Sequence, residues 1–444
     1  PQACRLGKQA LGRATFLQQV PNAGGLATPW LGRSDILGGS FPIGQSFRLE
    51  RSMDDTLDAI IVGGGMVGAA VAAALGQAGM AVTLVEGGGA PEAIAEDAPF
   101  DLRVSSLNLA SQRLLERVGA WSFIPEARCC PFRHIEASDA TEKRHVHFSA
   151  SDLGLPDLGY FVENRVIRHA LWRRLAELPN VTPLCHVSPI ALISGRQHAL
   201  VELDDGRLLA ARLVVGADGA GSRIRELAGI ATQDEDYGQR ALIINVRTRL
   251  PQQDVSWQRF TPHGPQAMLP LPGHHASLVW YDSDEATLSR ETLDDEALRL
   301  AIETAFPTRL GGIEAVRGRG SFPIRRRHAE RYVRPRLALV GDAAHVIHPL
   351  AGQGLNLGLQ DAAALSDRVV SAFQAGQDPG GRGPLSGYAR TRRPQTLAMI
   401  AAMETFHHVF TGPAPLRDAG AAGLAVAERL EGAKRQVMRH ALGL

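Results

Sequence analysis

Ala59-Ile60-Ile61-Val62-Gly63-Gly64-Gly65-Met66-Val67-Gly68 is the stretch that decides the fold. Its first four residues form a short apolar, largely β-branched run, suited to a strand buried on both faces in a parallel sheet. The glycines satisfy G-x-G-x-x-G at Gly63, Gly65 and Gly68, and Met66 and Val67 open an Ala-rich helix. Gly63 permits a tight turn, Gly65 lets the backbone approach a pyrophosphate, and Gly68 lets helix and strand pack closely. The helix N-terminus then presents free N–H groups and the positive end of a dipole to phosphates. Ala81-Val82-Thr83-Leu84-Val85-Glu86 reads as the next strand, ending in an acid at the distance expected for the partner of a ribose hydroxyl pair. The hexapeptide alone fits any tight βα connection. Followed by Glu86, it predicts a dinucleotide site, without choosing between NAD and FAD.

Outward from this unit, the composition is that of a globular α/β protein. The 444 residues are 45% hydrophobic and 21% charged, enough apolar mass for a large core. Lys+Arg 47 against Asp+Glu 46 leaves a formal charge of +1, so no global field attracts nucleic acid or an anionic membrane. Cys4, Cys129, Cys130 and Cys185 lack C-x-x-C pairing, which points to a reducing cytoplasm. No uncharged apolar run reaches the roughly 18 residues of a bilayer span, so membrane contact is expected to be peripheral at most.

Residues 1–52 are spaced by Gly and Pro and carry six basic side chains and two acids without sustained periodicity. They read as a disordered or non-native extension ahead of Met53. The expected organisation is a dinucleotide-binding region over 53–247, a substrate-domain sheet over 248–335, and a further cofactor-contacting motif with C-terminal helices over 336–444. Strands are expected at Arg212 to Gly216 and Leu337 to Val340. Alternation in Ser277-Leu278-Val279-Trp280-Tyr281 suits an antiparallel sheet. Helices are expected over Leu355 to Phe373 and Pro394 to Phe410.

Two further strand-to-turn motifs choose the cofactor. Leu213-Val214-Val215-Gly216-Ala217-Asp218-Gly219 and Leu337-Ala338-Leu339-Val340-Gly341-Asp342-Ala343-Ala344-His345 share a strand-Gly-Asp logic, and the second continues to Gly352-Gln353-Gly354-Leu355-Asn356. An isolated Asp at such a place is more commonly a turn former; the ordered triple of motifs is harder to dismiss. Together they resemble the FAD-dependent aromatic hydroxylases that share the para-hydroxybenzoate hydroxylase fold. The resemblance implies a Rossmann-like FAD-binding domain interlocked with a substrate domain built on an antiparallel sheet. It implies that Asp342 hydrogen-bonds the ribityl chain, that Asp218 lies near the pyrophosphate and the nicotinamide path, and that the turn Gly352, Gln353, Gly354 and Asn356 approaches the flavin ring. Arg103 matches a flavin-contacting arginine of the family.

The stretches Gly159 to Asn164, Trp257 to Pro265, Ser277 to Asp282 and Lys434 to Leu444 narrow the resemblance to ubiquinone-biosynthesis hydroxylases, in their demethoxyubiquinol hydroxylase branch. This implies a monooxygenase that uses NAD(P)H as transient co-substrate and dioxygen, through a flavin hydroperoxide, on the ring of a prenylated quinol. Other ubiquinone-biosynthesis proteins are the partners it suggests, with a cytoplasmic location at most peripheral to the inner membrane. The alternatives are another ring hydroxylase of the same pathway and a non-oxygenating FAD-dependent prenyl reductase. The cofactor carries the reactivity, so no catalytic side chain is named.

Several conspicuous features have ordinary explanations. His345 and His348 lack the carboxylates or thiols of a metal site. His407 and His408 face apart on a helix. Arg325-Arg326-Arg327-His328 suits a solvated face better than a phosphate site. Trp257, Phe260, Trp280 and Tyr281 fit either a prenyl-quinol pocket or core.

Overall fold

The opening strand, Leu57–Val62, is buried because it has parallel neighbours on both sides. Val82–Glu86 lies on one side and Leu208–Gly216 on the other. Val181–Cys185 extends the sheet beyond the first, and Leu337–Leu339 beyond the second, both parallel. Antiparallel additions, Val333–Arg334 at one edge and Ala199–Leu203 with Pro189–Ser194 beside Leu208–Gly216, complete eight strands. This computed structural model describes residues 56–95, 97–349 and 352–444. The chain divides into Pro1–Glu50 and Arg51–Leu444. The expectation for residues 1–52 thus lies outside the described residues.

A second eight-stranded sheet is organised around Thr232–Thr248, which pairs antiparallel with His275–Ser283 and with Ile313–Ala329. Gly264–Leu271 and Val255–Thr261 follow, and then His134–Ser138 and His145–Ser149. A boundary at 247/248 therefore does not separate two structural layers. Thr232–Thr248, assigned from sequence to the FAD-binding region, is central to the second sheet, and two more of its strands come from before residue 150. The interlocking is topological, because local patterning shows that a segment is a strand but not which sheet it joins.

Period-2 alternation gives the second sheet two unlike faces. Leu242, Ile244, Val246, Leu278 and Trp280 point outward, where Leu298, Ile302 and Phe306 of helix Asp295–Ala305 and the residue after it cover them. Trp257 joins this layer at 2% exposure, with its ring 6.3 Å from that of Phe306. Ala241, Ile243, Tyr281 and Ile324 form a separate cluster on the inner side.

Helix Gln353–Gln374 matches expectation within two residues at its start and one at its end. Helix Arg382–Thr411 begins well before the Pro394 start expected from sequence and carries that proline in its interior. The proline is tolerated because Pro394 and Arg390 are both exposed, leaving the unbonded carbonyl four residues back within reach of water.

Placing Trp257 in the core makes a stability prediction. Trp257→Ala should cost roughly 3–5 kcal/mol in urea unfolding. A loss below about 1 kcal/mol would show that this ring is not part of the packed layer.

Candidate functional site

Register brings the sequence motifs together. Val85, Val62, Gly216 and Leu339 lie in one row across four neighbouring parallel strands. The row continues in backbone hydrogen bonds, with Gly63 N–H donating to Val85 O at 2.8 Å, Ala217 N–H to Val62 O at 2.8 Å and Val340 N–H to Gly216 O at 3.0 Å. Beyond it the chain turns in each strand, so Glu86, Gly63–Gly68, Asp218 and Asp342 all leave the same edge of the sheet. This is where open α/β sheets bind their ligands.

The glycines divide by role. Gly63 has φ +106°, and a Cβ there would lie 2.3 Å from Ala217 O. A Cβ on Gly68 would lie 1.9 Å from Gly63 O. Both are required by close packing within the protein. Around Gly65 and Gly354, by contrast, a Cβ would meet nothing within 4 Å. Helices Met66–Gln77 and Gln353–Gln374 both start without a side-chain cap, so their first amides face the cleft. The two starts converge through Val67, whose side chain fills the space that a Cβ on Gly341 or Gly358 would need. Val67 and Met66 are half-buried, with their side chains packed against the core.

Glu86 ends its strand with its carboxylate accepting from Gly64 N–H at 2.5 Å and Gly88 N–H at 3.0 Å. Sequence reading missed two residues here. Arg168 Nε and Trp172 Nε1, one helical turn apart, donate to Gly64 O at 2.9 and 2.8 Å and brace the turn from behind. Their i, i+4 spacing is visible in the sequence, but nothing local says which loop they face.

The two aspartates differ sharply. Asp218 accepts from Ser222 Oγ at 2.5 Å and from Ile224 N–H at 3.0 Å, so both oxygens organise the turn ahead of Arg223–Leu227. Asp342 has no hydrogen bond or ion pair with a described residue. Its side chain is exposed on one side while dense protein surrounds the rest, as on the wall of a cleft. Burial raises its pKa, opposed by the nearby charges of His345 and Arg103.

Arg103 is held by an elaborate support. Asn245 Nδ2 donates to both Phe100 O and Asp101 O at 3.0 Å, laying this segment across the inner sheet face. Gly318 and Gly320 leave the space into which Leu102 packs. Buried Glu163 accepts from Asp101 N–H at 2.7 Å and pairs with Arg128 at 3.2 Å and Arg165 at 2.7 Å. The guanidinium of Arg103 lies over Phe322, 5.6 Å from its centroid.

Asn356 is fully buried and its side chain is committed. It donates to Ser106 O at 2.7 Å and accepts from Asn108 N–H at 3.0 Å and Ser111 Oγ at 2.7 Å. It thus fixes the start of helix Gln353–Gln374 rather than offering its amide to a ligand. Asp361, on the same helix, is a buried acid in an otherwise apolar run and was also missed. It accepts from Gly341 N–H, His345 and Arg392. Burial raises its pKa, but His345 and Arg392 outweigh that and hold the carboxyl below the usual range.

The aromatic and basic residues divide by location. Trp280 joins Trp257 in the outer core, and Phe260 stacks on Phe410 at 4.2 Å. Phe260 and Tyr281 lie on the inner face, Tyr281 stacked on His348 at 5.8 Å. Tyr237, His348 and His407 have ring centroids 5.0 Å apart in each pair, with Tyr237 set out from the sheet by a bulge between Asp236 and Arg240. Burial, assisted by His407, lowers the pKa of His348 to about 3. Arg325, Arg326 and Arg327 each pair across the sheet with Asp236, Glu235 and Asp234, at 3.0, 2.8 and 2.6 Å. This cross-strand ladder accounts for the basic run.

Comparison with known proteins agrees with this geometry. The FAD binding domain family matches residues 194–402, which include both Gly-Asp turns and the second sheet's centre. The 3-demethoxyubiquinol 3-hydroxylase of Escherichia coli is 43% identical over 86% of this chain and 98% of its own length. Ubiquinone hydroxylase UbiL of Rhodospirillum rubrum is 39% identical over 88% of this chain and 91% of its own. The crystal structure of p-nitrophenol 4-monooxygenase from Pseudomonas putida superimposes with a TM-score of 0.72 at 20% identity, covering 87% of this chain and 98% of that one, which shows the shared fold. With its three converging turns and this extent of identity, the chain belongs to the ubiquinone-biosynthesis hydroxylase family of FAD-dependent monooxygenases.

Proposed function

We propose that this chain hydroxylates the ring of a polyprenylated benzoquinol in ubiquinone biosynthesis, with FAD as resident cofactor and NAD(P)H and dioxygen as co-substrates. The observation that carries the reading is Asp342, a carboxylate on the cleft wall with no partner among the described residues, at the edge where the three turns meet. An accessible carboxylate with both oxygens uncommitted can accept hydrogen bonds from the hydroxyls of a ligand in the cleft.

The residues fit FAD. The amides after Gly65 suit its pyrophosphate, Glu86 a ribose, Asp342 the ribityl hydroxyls, and Arg103 with the Gly352–Asn356 turn the ring. Asp218 and Asn356 serve by fixing turns, since their side-chain atoms are already bonded within the protein. Bound there, FAD would supply hydride acceptance from the nicotinamide and activation of dioxygen, one oxygen atom going to the ring and the other to water. The chain contributes orientation and exclusion of water, with the inner sheet face around Ile243, Val279, Tyr281 and Phe322 supplying an apolar wall for a lipophilic quinol.

Among the described residues no helix is long and apolar enough to cross a membrane. In this reading the enzyme works from the cytoplasm and meets the inner membrane peripherally, together with other proteins of the pathway. The decisive assay supplies a short-chain demethoxyquinol and NAD(P)H to the purified protein. Oxygen uptake matched by a product heavier by one oxygen supports the reading, whereas reduction of a prenyl chain without oxygen uptake overturns it.

Two substitutions test the cofactor contacts. Gly65→Val fills open space with two methyls, so the folded protein should lose its yellow colour; normal FAD content would make this turn purely structural. Asp342→Ala removes an acceptor of about 1.5–3 kcal/mol, so FAD affinity should fall roughly ten- to a hundredfold, and Asp342→Asn should lose less. The folded-state pKa of Asp342 lies above its unfolded value, so its contribution to apo-protein stability is lost as pH rises through the folded pKa. Asp342→Asn should therefore melt no lower than wild-type apo-protein at neutral pH. Lower melting with unchanged FAD affinity would instead make Asp342 a turn former.

A further inference from the structure

Asp361, His345 and Arg392 form a buried polar cluster that touches none of the open space in the cleft. Asp361 has no exposure, and its carboxylate accepts from Gly341 N–H at 3.1 Å, His345 Nε2 at 2.5 Å and Arg392 Nε at 2.7 Å. Arg392 also donates to Leu357 O at 3.2 Å and Gln360 Oε1 at 3.1 Å. One turn earlier, Tyr388 donates its hydroxyl to Leu339 O at 2.7 Å. Through these bonds helix Arg382–Thr411 reaches the end of the Leu337–Leu339 strand, where the chain enters the Asp342 turn.

We propose that Asp361, His345 and Arg392 are positioning residues for FAD, acting through the Gly341–Asp342 turn. The proposal rests on the reading of Asp342 as a cofactor contact. Since the Asp342 carboxylate has no partner of its own among the described residues, its position depends on the backbone that carries it. That backbone is held on one side by the Gly341 amide on Asp361. On the other side Val67 lies 3.2 Å from any Cβ at Gly341, where φ is +59°. His345 closes the turn from three residues beyond Asp342, with Nε2 donating to Asp361 and Nδ1 buried without a partner. A turn fastened only by local bonds would not need a buried ion pair from two helices. Placing a carboxylate within hydrogen-bonding range of a cofactor requires tolerances of a few tenths of an ångström, and such supports supply them.

His345 is the informative position, since removing Asp361 or Arg392 strands a buried charge and endangers the fold. His345→Ala deletes the donor to Asp361, while His345→Gln keeps an amide N–H on a side chain of similar reach. The experiment titrates FAD into apo-protein made from His345→Ala, His345→Gln, Asp342→Ala and the double variant Asp342→Ala/His345→Ala, and records apo-protein melting for each. The expected result is a roughly tenfold weaker FAD affinity in His345→Ala, recovery to within about threefold in His345→Gln, and no further loss when His345→Ala is added to Asp342→Ala. A lower melting temperature in His345→Ala with unchanged FAD affinity overturns the proposal. So does an additive loss in the double variant, which leaves the Asp342 contact intact. Unchanged affinity in Asp342→Ala alone removes the contact on which the network acts.

Discussion

The structure depends on the parallel register of four strands. With Val85, Val62, Gly216 and Leu339 in one row, every strand ends at the same level and every turn opens on the same side. Adjacent strands stand about 4.8 Å apart, so the row spreads four turns over roughly 15 Å, a span suited to an extended dinucleotide. A slip of one residue in any pair would turn alternate side chains to the wrong face and misplace an aspartate or a glycine. The small residues at the turns are what permit this convergence, since Gly63 and Gly68 are packed to the limit of backbone contact.

Charge is distributed by the same logic. Several acids around the cleft are satisfied within the protein: Asp218 by Ser222 and Ile224, Glu163 by two arginines, and Asp361 by Gly341, His345 and Arg392. Each fixes backbone. Asp342, by contrast, has no partner among the described residues and is open to the cleft. Burying a charge is tolerable only with compensation. The fold compensates its supporting acids internally and leaves Asp342 uncommitted.

The second sheet brings the substrate side to this edge. Its outer face is ordinary core under helix Asp295–Ala305, whereas its inner face carries the segment that presents Arg103 and an aromatic cluster ending in Tyr281 and His348. Asn245 and the bare backbone at Gly318 and Gly320 join the two parts, since they let residues 100–103 lie flat against the sheet. The turn-bearing edge of the first sheet and the inner face of the second are thereby held by one set of hydrogen bonds.

Sequence by itself determined the parts whose signals are local: the first βα turn, the strand ending in Glu86, and the two Gly-Asp turns, because tight turns and buried parallel strands require particular residues at fixed spacing. It also determined the family, since long stretches of residues match. It did not determine which sheet Thr232–Thr248 joins, that helix Arg382–Thr411 continues through Pro394, or which of the four strand aromatics lie on the inner face. Nor could it separate Asp342 from Asp218, which sit in near-identical motifs but have opposite hydrogen-bonding states. Asn356, expected as a contact, and Asp361, not expected at all, exchange importance for the same reason. Whether a polar side chain is free or spent depends on partners as much as 250 residues away, and only the packed structure brings those partners within hydrogen-bonding distance.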